Sequence, residues 1–597
     1  DGYYSVAVTN NIATQLTLYS DTLNLAAADN VPKTLLTDSL SLVDFYNSTN
    51  GPNWTNKNNW LTTAPLSTWE NVTINNGRVT EFTPWDYNGK ITGTIPSSIG
   101  NLTELTKLVI RTGSSIVANN GNLIVLNGDL PTSIGNLTKL QTLQLAVAGS
   151  IPSSISNLTI LNTLSLSANS FPTSIGTINN LTMLELVTGP IPSSIYNLTN
   201  LTVLRLGGIG TISSSINSLS KLQSLSIFDA GMDGALPDNL NCGSLVSLSV
   251  YRSNLTGSLP SAIYNMPNLK YLYVEFNRKM TGSLPYYMGL SNLANLEDVQ
   301  CGYNAFTGEI PPYLGYARKI SFMNIADNNL TGSIPSSFSN LTSLGTIDIR
   351  NNKFNGIIPS FLGDLPLLNW IFLANNQFKD TIPASLGKLP LTILDLSNNL
   401  LTGEIPSSLM AHPLADLDIR LDANKFTFAG MEQVAQASIR YKKYAPQATI
   451  KLHQNENTLS VSAGGSLSNN TYRWYKNGNL LVTKTGDSTF SVNAPGNYYA
   501  TVSNSIATAL TLYTDTINTT LVPSQFCPPI GAGKFTAAVN GTTYQWQLNA
   551  GAGFTNITDN SNYSGTNAKT LQLSNIPSAW SGYQYRCLVD AKNTNVT

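Results

Sequence analysis

From Arg78 to Phe428 the apolar residues fall into short bursts separated by polar stretches of nearly constant length. The stretch from Leu341 to Pro359 is typical. Leu341 and Leu344 lead into Ile347 and Ile349, two positions apart, as in a short strand with one buried face. Asn352 follows, placed to turn its side chain toward neighbouring backbone amides. Phe354 and Ile357-Ile358-Pro359 then begin a return arm. About fourteen copies follow one another. One copy cannot bury its apolar side alone, so the copies must stack, strand beside parallel strand. The period is about 24 residues and drops to about 20 between Leu161 and Leu222, where Asn169-Ser170-Phe171-Pro172 shortens the arm. A local change of curvature is expected there.

This is the pattern of a leucine-rich repeat solenoid, with parallel strands on a concave face and short helical turns on the convex side. Thr256-Gly257-Ser258-Leu259-Pro260, Thr331-Gly332-Ser333-Ile334-Pro335 and Thr402-Gly403-Glu404-Ile405-Pro406 resemble the plant-type subclass, which implies a second short convex strand. The solenoid is assigned to 78–442. Residues 35–77 read as its cap: Ser39 to Ser48 has helical apolar spacing, and Trp54, Trp60 and Trp69 follow. Plant caps are locked by paired cysteines. Here tryptophan packing must close the end, a departure that points to bacterial relatives. Val117 to Leu126 reads as an inserted hairpin, and Gly430 to Arg440 as a helix closing the last repeat.

After Tyr444 alternating strands replace the repeat. Residues 444–519, with Trp474 on one strand and Gly496-Asn497-Tyr498 opening a late one, suggest an immunoglobulin-like sandwich without a disulfide. Residues 521–597 suggest a second, truncated one. There Trp546 lies between Cys527 and Cys587, and Tyr585 precedes Cys587 by two, the pattern of a disulfide with a tyrosine corner. Asp1 to Asn24, within residues 1–25, aligns without gaps on Pro495 to Asn518, sharing Ile12-Ala13-Thr14 with Ile506-Ala507-Thr508 and Leu16-Thr17-Leu18-Tyr19 with Leu510-Thr511-Leu512-Tyr513. They read as the last strands of a third sandwich, and a longer, modular parent chain is expected.

Taken together, these features resemble secreted or cell-surface proteins of Bacteroidota-type bacteria that join plant-like repeats to immunoglobulin-like modules. The resemblance implies an extracellular adhesion or recognition role. Four Asp-Ser/Thr-apolar triplets, at Thr22, Ser39, Thr381 and Thr516, look like the O-glycosylation signal of such bacteria. The Asn-Leu-Thr triplets at Asn101, Asn136, Asn157, Asn197 and Asn340 recur at one repeat position and read as turns instead.

Charged residues make up only 11% of the 597 and the net charge is -1, which leaves no electrostatic footprint for nucleic acid. No run of about 18 apolar residues offers a membrane span. Cys242 and Cys301 fall in the repeats on the order of 10 Å apart, beyond bridging range, and read as buried free thiols. His412 and His453 are the only histidines, far apart, so no histidine triad or metal cluster can be assembled and no cofactor is expected. Asp348 and Asp395 face one side two repeats apart, without a pocket to tune a glycosidase acid.

The positions between inward leucines map the concave face. Early repeats place Thr163, Ser165, Ser167, Gly207 and Gly208 there. Middle and late repeats place Phe228, Tyr251, Arg252, Tyr271, Tyr273, Phe276, Tyr303, Phe322, Asp348, Arg350, Trp370 and Phe372, with Asp229, Glu275, Asn324 and Asp395 among them. Aromatic strips with arginine and carboxylates serve protein hot spots and sugar platforms alike. The reading is a non-enzymatic cell-surface protein that binds a protein or glycan on another surface through this face. The alternative is a structural subunit of a homo-oligomeric extracellular filament, hook or other appendage.

Overall fold

The computed structural model describes residues 3–4, 7–9, 17–19, 23–24, 33–62, 64–112, 126–229, 231–284, 293–410, 416–520, 533–538, 540–577, 580 and 582–590. They belong to two compact units, one of residues 1–400, 406–420 and 439–441, the other of 401–405, 421–438 and 442–597.

In the first unit, parallel pairing runs strand by strand from Arg78–Phe82 to Asp418–Arg420. The register keeps like positions abreast. Leu225, Leu248, Leu272, Val299, Met323, Ile347, Ile371, Leu394 and Ile419 form one row, and every member is buried. The return arms start at a proline and make one tight helical turn, as in Ser153–Asn157 after Pro152 and Ser336–Asn340 after Pro335. Serines on these turns bond to the preceding arm: Ser154 Oγ donates to Thr132 O at 2.7 Å and Ser337 Oγ to Pro312 O at 2.6 Å. Short convex strands pair as well, Thr307–Glu309 with Asn329–Thr331.

From Asn277 to Asn424 the asparagine of the repeat is buried, and it bonds in both directions. Asn328, Asn352 and Asn376 donate to Cys301 O, Ile325 O and Ile349 O, at 2.8, 3.0 and 3.0 Å. Their Oδ1 atoms accept the N–H groups of Phe306, Leu330 and Phe354. To aim inward, each asparagine must follow a residue with left-handed backbone. Asp327, Asn351 and Asn375 supply it with φ of 55°. Arg252, Phe276 and Tyr303 occupy the same column, with φ of 49°, 59° and 57°. These three therefore stand at the strand exits, not within the strands where the alternation had placed them.

Ahead of the repeats, a helix spans Lys33–Ser48, six residues earlier than the spacing from Ser39 suggests. Its Phe45 and Tyr46 pack on Trp54, and Trp60 meets Tyr46, Trp54, Trp69 and Phe82 within 6.0 Å. Fully buried Asp38 accepts Arg78 Nε at 2.8 Å and Val79 N–H at 2.9 Å. Of the expected hairpin at Val117 to Leu126, only Leu126 lies within the described residues. At the N-terminus, Ala7–Thr9 pairs with Thr17–Tyr19 and Tyr3–Tyr4 with Leu23–Asn24. Both registers are those of Thr501 to Ser503 with Thr511 to Tyr513 and of Asn497 and Tyr498 with Ile517 and Asn518.

In the second unit the helix Phe428–Gln436 is capped by Thr427. It begins earlier and ends sooner than the spacing from Gly430 to Arg440 indicates. Glu432 accepts bonds from Asn504, Asn469 and Ser466. Beyond it, one antiparallel sheet joins Leu452–Asn455, Thr458–Val461 and Thr489–Ser491. Another joins Asn479–Thr485, Asn470–Lys476, Gly496–Asn504 and Thr511–Tyr513. Phe490 of the first stacks on buried Trp474 of the second at 5.4 Å, and Tyr498 O–H donates to Ala494 O at 2.6 Å. A further pair of sheets is built from Gly533–Thr536, Thr570–Leu573 and Tyr563–Ser564, and from Phe554–Asn556, Tyr544–Asn549 and Gln584–Val589. Trp546 and Tyr585 are buried there.

One detail of this last part differs from the sequence reading. Tyr585 shares its hydroxyl bond with Tyr563 at 3.2 Å, where a tyrosine corner would bond a backbone carbonyl. Cys587 packs at the margin of the Trp546 core, and the expected bridge pairs it with Cys527. Cys527 lies outside the described residues.

Candidate recognition face of the repeats

The parallel register converts the outward strand positions into a grid. One row runs Ser247, Tyr271, Asp298, Phe322, Thr346, Trp370; the next runs Ser249, Tyr273, Gln300, Asn324, Asp348, Phe372. Tyr251 and Glu275 begin a third. The sequence reading missed Asp298 and Gln300. From Leu248 to Leu272 the step is 24 residues, but from Leu272 to Val299 it is 27, which hides the register. The signal was available: Asp298 immediately precedes the inward Val299, as Tyr271 precedes Leu272.

Early repeats do not offer an open face of small groups. Ser165 and Ser167 are buried, Ser165 donating to Glu185 Oε2 at 2.6 Å. Gly207 lies under the ring of Phe228, which is itself 7% exposed and so is withdrawn from the surface. The accessible aromatic band begins at Tyr251. Tyr271 and Tyr273 lie 6.0 Å apart, and Phe276 and Tyr303 stack at 4.3 Å in the strand-exit column. Tyr303 and Trp370 are 37% and 42% exposed, while Phe322 and Phe372 are half-buried. Arg252 lies over the rings of Tyr251 and Phe276.

Five carboxylates on the strands of the face pair with cations. Glu81 pairs with Lys107 of the next strand, Glu185 with Arg205, Asp348 with Arg350, Asp395 with Arg420, and Asp418 with Arg440. Buried Asp348 accepts Arg350 at 2.8 Å, yet burial still raises its pKa. That pairing engages Asp348, while Asp395 accepts the N–H and the hydroxyl of Ser397 at 3.1 and 2.6 Å. Glu275 and Asp298 differ from these five: among the described residues neither forms an ion pair. Asp298 accepts Tyr273 O–H at 3.0 Å and Gln300 Nε2 at 3.1 Å, and Glu275 takes a long 3.4 Å contact from Asn324. Burial raises both carboxyl pKa values; the charge of Asp298 adds to the rise at Glu275. Burial and Asp298 likewise raise the Tyr273 phenol.

Elsewhere, Cys242 and Cys301 are buried free thiols, pushed by burial to about 11 and about 12. His453 is exposed on its strand, and His412 lies outside the described residues. Thr381 and Thr516 are exposed, Ser39 is half-buried with its hydroxyl bonded to Leu36 O, and Thr22 lies outside the described residues.

Family models described as leucine rich repeat match residues 318–378 and 390–411. The chain carries leucine-rich repeats. Over 125 residues it is 30% identical to Receptor-like protein 39 and to Receptor-like protein 41 of Arabidopsis thaliana. That stretch is 21% of this chain, and the chain spans only 14% of the length of either relative. Among solved structures, the plant peptide hormone receptor RGFR1 in complex with RGF2 is 26% identical, with 64% of this chain and 72% of that one covered at a TM-score of 0.44. A leucine-rich-repeat protein of Leptospira interrogans is 25% identical, with 58% and 88% covered at 0.46. No helix of the described residues is long and apolar enough to cross a membrane.

Proposed function

We propose that this is an extracellular, non-enzymatic recognition protein that binds a protein or glycan partner on another surface through the outward face of its repeats. The observation that carries the proposal is the aromatic band from Tyr251 to Phe372, whose rings are left partly exposed while the apolar rows behind the sheet are closed. Rings held by backbone pairing lose little entropy on binding and bury large area. The antiparallel modules serve as immunoglobulin-like spacers. The Trp474 and Tyr498 packing supports that reading of residues 444–519, and the shared strand register supports a related module at residues 1–25. Replacing Tyr271, Tyr273 and Trp370 together by alanine is expected to abolish saturable binding to target cells or glycans while leaving the fold intact; unchanged binding defeats the proposal.

One observation favours the second reading, self-assembly into an appendage. Among the described residues the strand Asn479–Thr485 pairs on one side only, and it carries Leu480 and Leu481, 54% and 44% exposed. Exposed apolar edge strands template pairing with another chain. Light scattering of the protein at high concentration decides it: concentration-dependent growth that Leu480→Lys suppresses favours assembly, and a monomer at every concentration rejects it.

A further inference from the structure

Five carboxylates on the strands of the repeat face are answered by cations of the chain itself. The answer has a recurring form. Arg350 bonds Asp348 at 2.8 Å with its guanidinium 4.8 Å from the centre of the Phe372 ring. Arg420 lies 3.7 Å from Asp395 and 5.6 Å from the Tyr441 ring. A carboxylate, a ring and a guanidinium thus recur as a unit. At Glu275 and Asp298 the first two parts are present and the third is not. Tyr271 and Phe322 flank Asp298 in its row and Tyr273 bonds it, while the guanidinium of Arg252 lies on Tyr251 and Phe276 and acts on Asp229. Gly302, whose carbonyl accepts Phe276 N–H, puts no side chain between Glu275 and Asn324. Residues 285–292, which lie outside the described structure, contain no lysine or arginine.

Two half-buried carboxylates that act on one another without a counter-cation are costly to the free protein. A ligand that brings the cation removes that cost. A planar guanidinium suits the place better than an ammonium, because it stacks on rings and bonds carboxylates through a fixed fork. We propose that this part of the face binds an arginine side chain of a protein partner, in the field of Glu275 and Asp298 and against the surrounding tyrosines; the proposal rests on reading the repeat face as the recognition surface. The partner's arginine completes the unit that Arg350 and Arg420 complete within the chain.

The probe is a fluorescently labelled Gly-Ser-Arg-Ser-Arg-Ser-Gly peptide, compared with its citrulline counterpart by anisotropy at low salt. The arginine peptide is expected to bind at least about tenfold more tightly than the neutral one. That preference should vanish in Glu275→Gln/Asp298→Asn and persist in Glu81→Gln. Absence of arginine-dependent binding to the wild type, or a preference unchanged in the double variant, overturns the inference. Equal binding of the lysine peptide overturns the assignment to guanidinium. Target-surface binding separates the two levels. Loss in the tyrosine/tryptophan variant with full retention in the acid variant defeats only the arginine inference, whereas retention in both defeats the recognition face as well.

Discussion

Replacing Asn352 by alanine tests the physical basis of the repeat more severely than any change to its leucines. The Asn352 amide donates to Ile325 O at 3.0 Å, and its Oδ1 accepts Leu330 N–H at 2.9 Å. Leu330 and Ile325 are both fully buried, so water cannot replace the lost partner. Ile325 O retains a long 3.3 Å bond from Asn328, which leaves the Leu330 N–H as the chief orphan. An unsatisfied buried donor costs about 1–3 kcal/mol, and the weakened carbonyl adds about 1 kcal/mol, so the expected loss is about 3 kcal/mol. Asn351→Gly is the matched control. It removes a side chain from the neighbouring outer column but keeps the left-handed backbone, and is expected to cost under about 1 kcal/mol. Urea unfolding supplies the energies, and exchange of the Leu330 amide reports the site directly. A loss below about 1 kcal/mol, or one equal to that of Asn351→Gly, refutes the claim that the buried asparagine row holds the repeats in register.

Three further predictions follow from other parts of the molecule. Trp60→Ala, which empties the centre of the ring cluster under the helix Lys33–Ser48, should lower stability by about 3–5 kcal/mol, read as a shifted urea midpoint. Glu275 has a folded-state pKa above its unfolded value, so the folded state binds its proton more tightly; the contribution to stability is lost as pH rises from about 4 through the raised value. Glu275→Gln, with Asp298, Tyr273 and Asn324 left in place, should therefore be more stable than wild type at pH 7 and lose that advantage at pH 4; no difference between the two pH values contradicts this. At pH 8, iodoacetamide should leave Cys242 and Cys301 unmodified in the native protein and label both after denaturation, as scored by peptide mass spectrometry.

The repeat was legible because its signal is summed over many copies: any single strand of three residues is beneath notice, but Leu248, Leu272, Val299 and Met323 in one row are not. The outward face was legible in kind and not in detail. Alternation identifies which residues leave the core, yet it assumes that the strand continues. At Arg252, Phe276 and Tyr303 the strand has already ended, because Ser253, Asn277 and Asn304 turn inward and the preceding backbone becomes left-handed. Exposure was the weakest inference. Phe228 is hidden by folding its ring over Gly207, a contact between residues 21 apart that no local pattern carries. The missing cations at Glu275 and Asp298 were invisible for the same reason, since only the register shows which charges have neighbours.

Binding on the aromatic band of the repeats leaves a footprint that can be read directly. Hydrogen exchange of the protein, alone and saturated with target cells' surface extract or glycan, locates the contact without mutation. Protection concentrated in the strands Ser247–Tyr251 to Trp370–Phe372 is the predicted result. Protection confined to the antiparallel modules after residue 444, with these strands unchanged, contradicts it.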